Sequence, residues 1–158
     1  MTINKVLMVC LGNICRSPMA EGILRARIEE AGKKVIVDSA GTSDYHAGES
    51  PDFRAIRILE KRGIDISGLS ARKFTVKDFD NFDLIYAMDA SNMMNILALA
   101  RNDEDRKKVE LLLNVSHPQS NRSVPDPYYG EVDGFERVLD MVEDASDGLL
   151  RHIQKTLM

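Results

Sequence analysis

Cys10 and Arg16, with five residues between them, are the two side chains of this sequence best placed to act together on an anion. A thiolate is a strong nucleophile, and the planar guanidinium of arginine can grip two oxygens of a tetrahedral group at once. The residues between them, Leu11, Gly12, Asn13, Ile14 and Cys15, form a turn whose backbone N–H groups can converge on a phosphate-like anion beside a helix start. A thiol so placed loses its proton readily, because the helix end and the cation both favour the sulfur anion. A thiolate below and donors around the equator make an arrangement for phosphoryl transfer to sulfur. Taken alone, Cys-x5-Arg is a weak pattern, and its weight comes from what flanks it.

Asp126 is the second group with chemistry to offer. It stands between Pro125 and Pro127, whose rings stiffen the backbone, and Tyr128 and Tyr129 follow at once. A carboxyl partly buried beside a dianion can keep a proton long enough to hand it to a leaving oxygen. Read without context, Asp126-Pro127 is first of all a surface turn. The three His residues form no cluster with Cys or carboxylates at zinc spacing, so neither metal nor cofactor is expected.

These side chains need a strand, a turn and a helix in that order. Val6 to Val9 read as a short buried strand, Gly12 and Asn13 allow a tight turn, and Ser17-Pro18 signals a helix start with Ser17 as N-cap. Ala20, Leu24, Ile28 and Ala31 recur at helical spacing, Glu21, Arg25 and Glu29 make a charged face, and Gly32 stops the helix. Val35-Ile36-Val37 is a second strand that ends in Asp38-Ser39-Ala40-Gly41, which implies a parallel pair with a right-handed crossover. A loop over 41–51 carries Tyr45 and His46, the latter read as a solvated residue.

Further along, Asp52 to Arg62 is a second helix ended by Gly63, and Asp83 to Met88 a third strand. Asp89, at the end of that strand, is given a structural part: capping the next helix or anchoring the active-site loops. A helix follows over Ser91–Ala100, then a solvated turn over Asn102–Lys108, a fourth strand over Val109–Leu113 and a polar loop over Asn114–Pro125. From Asp133 onward, Phe135, Val138, Leu139, Val142, Leu149, Leu150 and Ile153 trace an amphipathic helix that closes the core. Strands alternating with helices predict an open α/β sheet with its ligand at the C-terminal strand ends.

Composition bounds the rest. The 158 residues suit a single domain spanning 1–158, and a net charge of -4 gives no basic field for nucleic acid or acidic membranes. The apolar N-terminal run is too short to span a membrane, and two Cys do not make a disulfide framework, so a cytoplasmic protein is expected.

Cys10-Leu11-Gly12-Asn13-Ile14-Cys15-Arg16-Ser17 resembles the active-site loop of the low-molecular-weight protein tyrosine phosphatases. The likeness extends to Asp38-Ser39-Ala40-Gly41-Thr42, Met88-Asp89-Ala90-Ser91-Asn92 and Asp126-Pro127-Tyr128-Tyr129-Gly130, in the family's order. It implies a three-layer open α/β sandwich, with a four-stranded parallel sheet in order 2-1-3-4 and helices on both faces. It also implies a protein-tyrosine-phosphatase working through a cysteinyl-phosphate, with Cys10 as nucleophile, Arg16 as anion clamp and Asp126 as acid. Leu11 to Cys15 and Ser17 would bind substrate, and Tyr45, Tyr128 and Tyr129 would wall the slot. The expected partner is a phosphotyrosine protein or small aryl phosphate, with inorganic phosphate as product and the protein acting as a monomer.

One departure stands out. Many members place a His before the Ser-Ala-Arg segment to support the loop Asn, whereas Leu69 stands there in this chain, leaving Asn13 to Ser39 or Arg72. Two neighbouring chemistries are less well supplied. A thiol-dependent arsenate reductase needs further Cys for its relay, and protein-arginine phosphatases that resemble this chain carry Thr where Ile14 stands. Cys15 is either a disulfide partner for an oxidised Cys10 or a packed apolar residue.

Overall fold

Alternation along one strand, buried from Val6 to Cys10, sets the layers. The computed structural model describes residues 2–128, 130 and 132–156. Its elements are β1 (Lys5–Cys10), α1 (Arg16–Glu30), β2 (Ile36–Gly41), α2 (Phe53–Glu60), α3 (Lys77–Asn81), β3 (Leu84–Ala87), α4 (Ala90–Leu97), α5 (Asp103–Lys107), β4 (Val109–Leu111), α6 (Leu113–Ser116) and α7 (Val132–Thr156). Val6, Met8 and Cys10 of β1 point into a core built with α1, α2 and α7. Leu7 and Val9 point the other way, into a core with Phe74, Phe79, Phe82 and Ile96. The four strands are parallel in the order β2-β1-β3-β4, as the resemblance implied. Because the chain turns to β2 on one side of β1 and to β3 on the other, a crevice opens at the Cys10 end of β1. Among the described residues, no helix is long and apolar enough to cross a membrane.

Several boundaries move, for physical reasons. α1 begins at Arg16, and Cys15 holds the N-cap position without a side-chain bond. Ser17 therefore lies inside the first turn and is not the cap, and Pro18 is tolerated because first-turn N–H groups have no helical partner. Glu21 is buried rather than on a charged face, because the first half of α1 is enclosed between the sheet and α7. β2 starts at Ile36 and includes Asp38 to Gly41, paired in register from Lys5↔Ile36 to Cys10↔Gly41.

α2 stops at Glu60, and Asp52 is its N-cap. Between α2 and α3 a single parallel bridge pairs Gly41 with Lys73. The segment read as a solvated turn contains α5, capped by Asn102, with Asp105 buried and held by Arg101. β4 ends at Leu111, and α6 occupies the start of the polar loop. The closing helix buries Phe135, Val138, Leu139, Val142, Leu149 and Ile153, as its period predicts.

Candidate active site

The turn after β1 folds back over its own strand end. The Asn13 N–H donates to Cys10 Sγ at 3.3 Å, and Asn13 takes a φ of 59°, a left-handed conformation that Asn tolerates better than most residues. Gly12 stays outside that region and supplies space: a Cβ there would stand 3.0 Å from His46 Cδ2. Across the sheet, a Cβ on Gly41 would lie 2.7 Å from the Leu11 carbonyl oxygen, so the turn fits only against a bare strand end.

Asn13 is the hub beneath the turn. Its Nδ2 donates to Ser17 Oγ at 2.7 Å and to Ser39 Oγ at 3.0 Å, while Oδ1 accepts the Arg72 N–H at 3.1 Å. Ser39 and the Arg72 backbone thus both hold it, and Leu69 packs partly buried against the core. Since Ser17 Oγ accepts from Asn13, its own proton is left for Cys10 Sγ at 3.0 Å or the more distant Ala40 carbonyl at 3.4 Å. The Ser39 hydroxyl donates in turn to Glu21 Oε1 at 2.6 Å. Burial pushes the Glu21 carboxyl above its ordinary range, against the pull of hydrogen bonds from Ser39 and Arg25.

Arg16 is buried and fixed from behind. Its Nη1 donates to Asp89 Oδ2 at 2.6 Å and to the Val124 carbonyl at 3.0 Å, while Nη2 faces Asp126 Oδ2 at 3.6 Å. The other Asp89 oxygen accepts the Asn92 N–H at 2.8 Å, so this one carboxylate both caps α4 and anchors Arg16. Asp126 Oδ1 accepts the Tyr128 N–H at 3.0 Å. Its side chain is 38% exposed, more open than the partial burial expected, because it stands at the cavity mouth.

Cys10, Arg16, Leu11, Gly12, Ile14, Cys15 and Asp126 line a cavity of about 480 Å³ whose outer wall includes Tyr45, His46 and Tyr128. Asn13 and Ser17, grouped above with the substrate-binding residues, lie behind it and shape the turn. Tyr129 lies outside the described residues. Tyr45 is 83% exposed at the rim.

His46 departs most from expectation, with only 16% of its side chain exposed. Its ring centroid lies 5.0 Å from that of Tyr45 and 5.8 Å from that of Tyr128, and Nδ1 is 3.0 Å from Glu49 Oε2. No local pattern announces this burial, because beside the nearby Tyr45 and Glu49 the ring meets Gly12 and Tyr128, both remote in sequence.

Cys15 belongs to the core cluster on the α1 side. Burial, and then the charges of Asp52 and Cys10, push its thiol far above the ordinary range, so it is a neutral neighbour. Its sulfur can still attack a sulfenic acid that peroxide forms on Cys10, the S–S bond forming as the S–O bond breaks and the oxygen leaves as water with the thiol's proton. Peroxide-inactivated wild type is therefore expected to regain most activity with dithiothreitol and to show a Cys10–Cys15 disulfide by mass spectrometry. Cys15→Ser should recover much less. Equal recovery in both proteins would assign Cys15 to packing alone.

The family model for low molecular weight phosphotyrosine protein phosphatase matches residues 5–158. A low molecular weight phosphotyrosine protein phosphatase of Schizosaccharomyces pombe is 45% identical over 152 residues, covering 94% of this chain and 96% of its own. A crystal structure of a protein tyrosine phosphatase from Entamoeba histolytica, with Hepes in its active site, superposes with a TM-score of 0.91 at 37% identity and covers 98% and 99% of the two chains. A Drosophila arginine phosphatase superposes with a TM-score of 0.87 at 31% identity, over 94% of this chain and 96% of the other.

Proposed function

The chain belongs to the low molecular weight phosphotyrosine protein phosphatase family, and from that premise we propose that it hydrolyses phosphotyrosine and small aryl phosphates through a cysteinyl-phosphate, the whole chain serving as one domain. The observation that carries this reading is the meeting of Cys10 Sγ, the Arg16 guanidinium and the Asp126 carboxyl in one cavity with an aromatic mouth.

The reaction runs in two steps. Cys10 Sγ attacks phosphorus in line with the phenolic oxygen, forming the S–P bond as the O–P bond breaks. Arg16 Nη2, free of the Asp89 contact, and N–H groups of the turn hold the equatorial oxygens. Asp126 gives its proton to the leaving phenol oxygen. The ionised carboxylate then takes a proton from water as that water attacks phosphorus, which releases inorganic phosphate and returns Cys10 as a thiolate. Ser17 and the Asn13 N–H, both on the sulfur, stabilise that leaving thiolate.

A second substrate class has a definite reason to be tested, since the Drosophila arginine phosphatase shares the fold. Ile14 walls the cavity here, and its branched apolar side chain suits a flat aromatic ring better than a guanidinium that must be hydrogen-bonded. The purified protein is expected to turn over phosphotyrosine well, with little activity on phosphoserine, phosphoarginine or arsenate. A faster reaction with phosphoarginine would move the assignment to that class, and thiol-dependent reduction of arsenate would reject hydrolysis as the main activity.

A further inference from the structure

We propose that Arg54 is the positioning residue of the acid: it fixes the segment that aims Asp126, so that its loss weakens proton donation while leaving the nucleophile's own site in place. This rests on the assignment of Asp126 above. Arg54 stands in the first turn of α2, and its guanidinium Nη2 donates to the Tyr128 carbonyl at 2.8 Å while Nη1 donates to the Gly130 carbonyl at 3.1 Å. Nε and Nη2 also meet the two Asp52 oxygens, each at 3.0 Å, and the guanidinium carbon lies 4.6 Å from the ring centroid of the buried Phe135. Three anchors on one rigid plane leave the group little freedom.

Pro125 and Pro127 have no N–H to donate, and the backbone ties of the described residues there include Val124 to Met88 and Arg16, and Gly130 N–H to the Pro127 carbonyl. Tyr128 is pinned through both of its peptide groups. Its N–H orients Asp126 Oδ1 at 3.0 Å, and its C=O is the one Arg54 grips.

Asp52 completes the tie, because its N–H donates to the Ile14 carbonyl at 2.7 Å in the nucleophile's turn. The Asp52–Arg54 pair therefore fixes the acid's segment relative to the turn that holds the phosphorus. A general acid must meet the leaving oxygen within hydrogen-bond reach, and a displacement of about 1 Å can cost up to about 100-fold. A Lys at this position reaches one carbonyl but cannot hold two carbonyls and a carboxylate at once.

The test compares kcat/KM for aryl phosphates of graded phenol pKa in wild type, R54K, R54M, D126A and the R54M/D126A double variant. R54M is expected to lose about 10–100-fold on phenyl phosphate and no more than about threefold on 2,4-dinitrophenyl phosphate, whose phenol leaves without help. R54K should show the same slope with smaller losses, and it carries the test if R54M does not fold. In the D126A background, R54M should add less than about threefold on phenyl phosphate, because the acid it positions is gone. Inhibition by inorganic phosphate, which needs the Cys10–Arg16 turn but no proton for a leaving group, should hold in R54M and R54K. An even loss across the series in the Arg54 variants, beside a steep one in D126A, overturns the proposal. A flat series in D126A itself instead removes Asp126 as the acid and leaves nothing for Arg54 to position.

Discussion

Cys10→Ser is expected to lower turnover of phosphotyrosine by about 10⁴-fold or more, the scale on which removal of a covalent nucleophile acts. A serine hydroxyl at this position meets the same two donors as the sulfur, Ser17 Oγ and the Asn13 N–H. Those donors stabilise an anion but cannot remove the proton from a hydroxyl. Inorganic phosphate should still bind to the variant, since Arg16 is held from behind by Asp89 and Val124 without help from the sulfur. Arg16→Lys should lose about 10²–10³-fold, because one ammonium cannot keep the Asp89 and Val124 contacts through Nη1 and also offer a second donor to the cavity. Single-turnover kinetics and phosphate titration of both variants separate chemistry from binding. Substantial turnover by Cys10→Ser would sink the covalent scheme, and inhibition by EDTA that added metal reverses would point to a different chemistry.

The turn between β1 and α1 was legible because its signals are local. Cys10 to Ser17 form one unbroken run between a strand and a helix, and Asn13 adopts the conformation its residue type suggests. Asp89 was legible by position at the end of β3, and both of its foreseen duties are present. Glu21 was misread for a physical reason: helical periodicity identifies faces, not how many of them are covered, and α1 lies between the sheet and α7. Ser17 has cap chemistry, but its hydroxyl is committed to the hub around Asn13, so the helix starts before it.

The places of His46 and Arg54 in the site were not legible, because the partners that tie each of them to it are brought near by tertiary packing. The His46 ring meets Gly12 and Tyr128, and the Arg54 guanidinium meets the Tyr128 and Gly130 carbonyls. A single sequence marks a backbone carbonyl as an acceptor but not as one that a distant arginine will reach.

Asp126→Ala is expected to cost about 10²–10⁴-fold in kcat/KM on phenyl phosphate, the usual worth of general acid catalysis. The carboxyl stands 3.6 Å from Arg16 Nη2, is oriented by the Tyr128 N–H and lines the same cavity as Cys10, so it lies beside the group proposed to hold the phosphoryl oxygens. In the proposed in-line displacement the leaving oxygen departs on the side of phosphorus away from Cys10, and the carboxyl at the cavity mouth is the group proposed to protonate it there. The loss should shrink steadily as the phenol becomes more acidic, because a phenolate that is stable in water needs no proton to leave.

kcat should respond differently from kcat/KM in the same variant. In the proposed scheme kcat/KM reports the first irreversible step, whereas kcat would also contain hydrolysis of the cysteinyl-phosphate, with the ionised carboxylate as base. Activated esters should thus form the intermediate at nearly the wild-type rate in Asp126→Ala, give a burst of phenol, and then turn over slowly. Asp126→Asn should match Asp126→Ala in both steps, since an amide keeps the Tyr128 contact but neither gives nor takes a proton. The decisive measurement is the slope of log kcat/KM against phenol pKa, which should become steeper when the acid is removed. Equal losses from phenyl to dinitrophenyl phosphate, with no burst on the activated ester, would show that Asp126 holds the loop and does not move the proton.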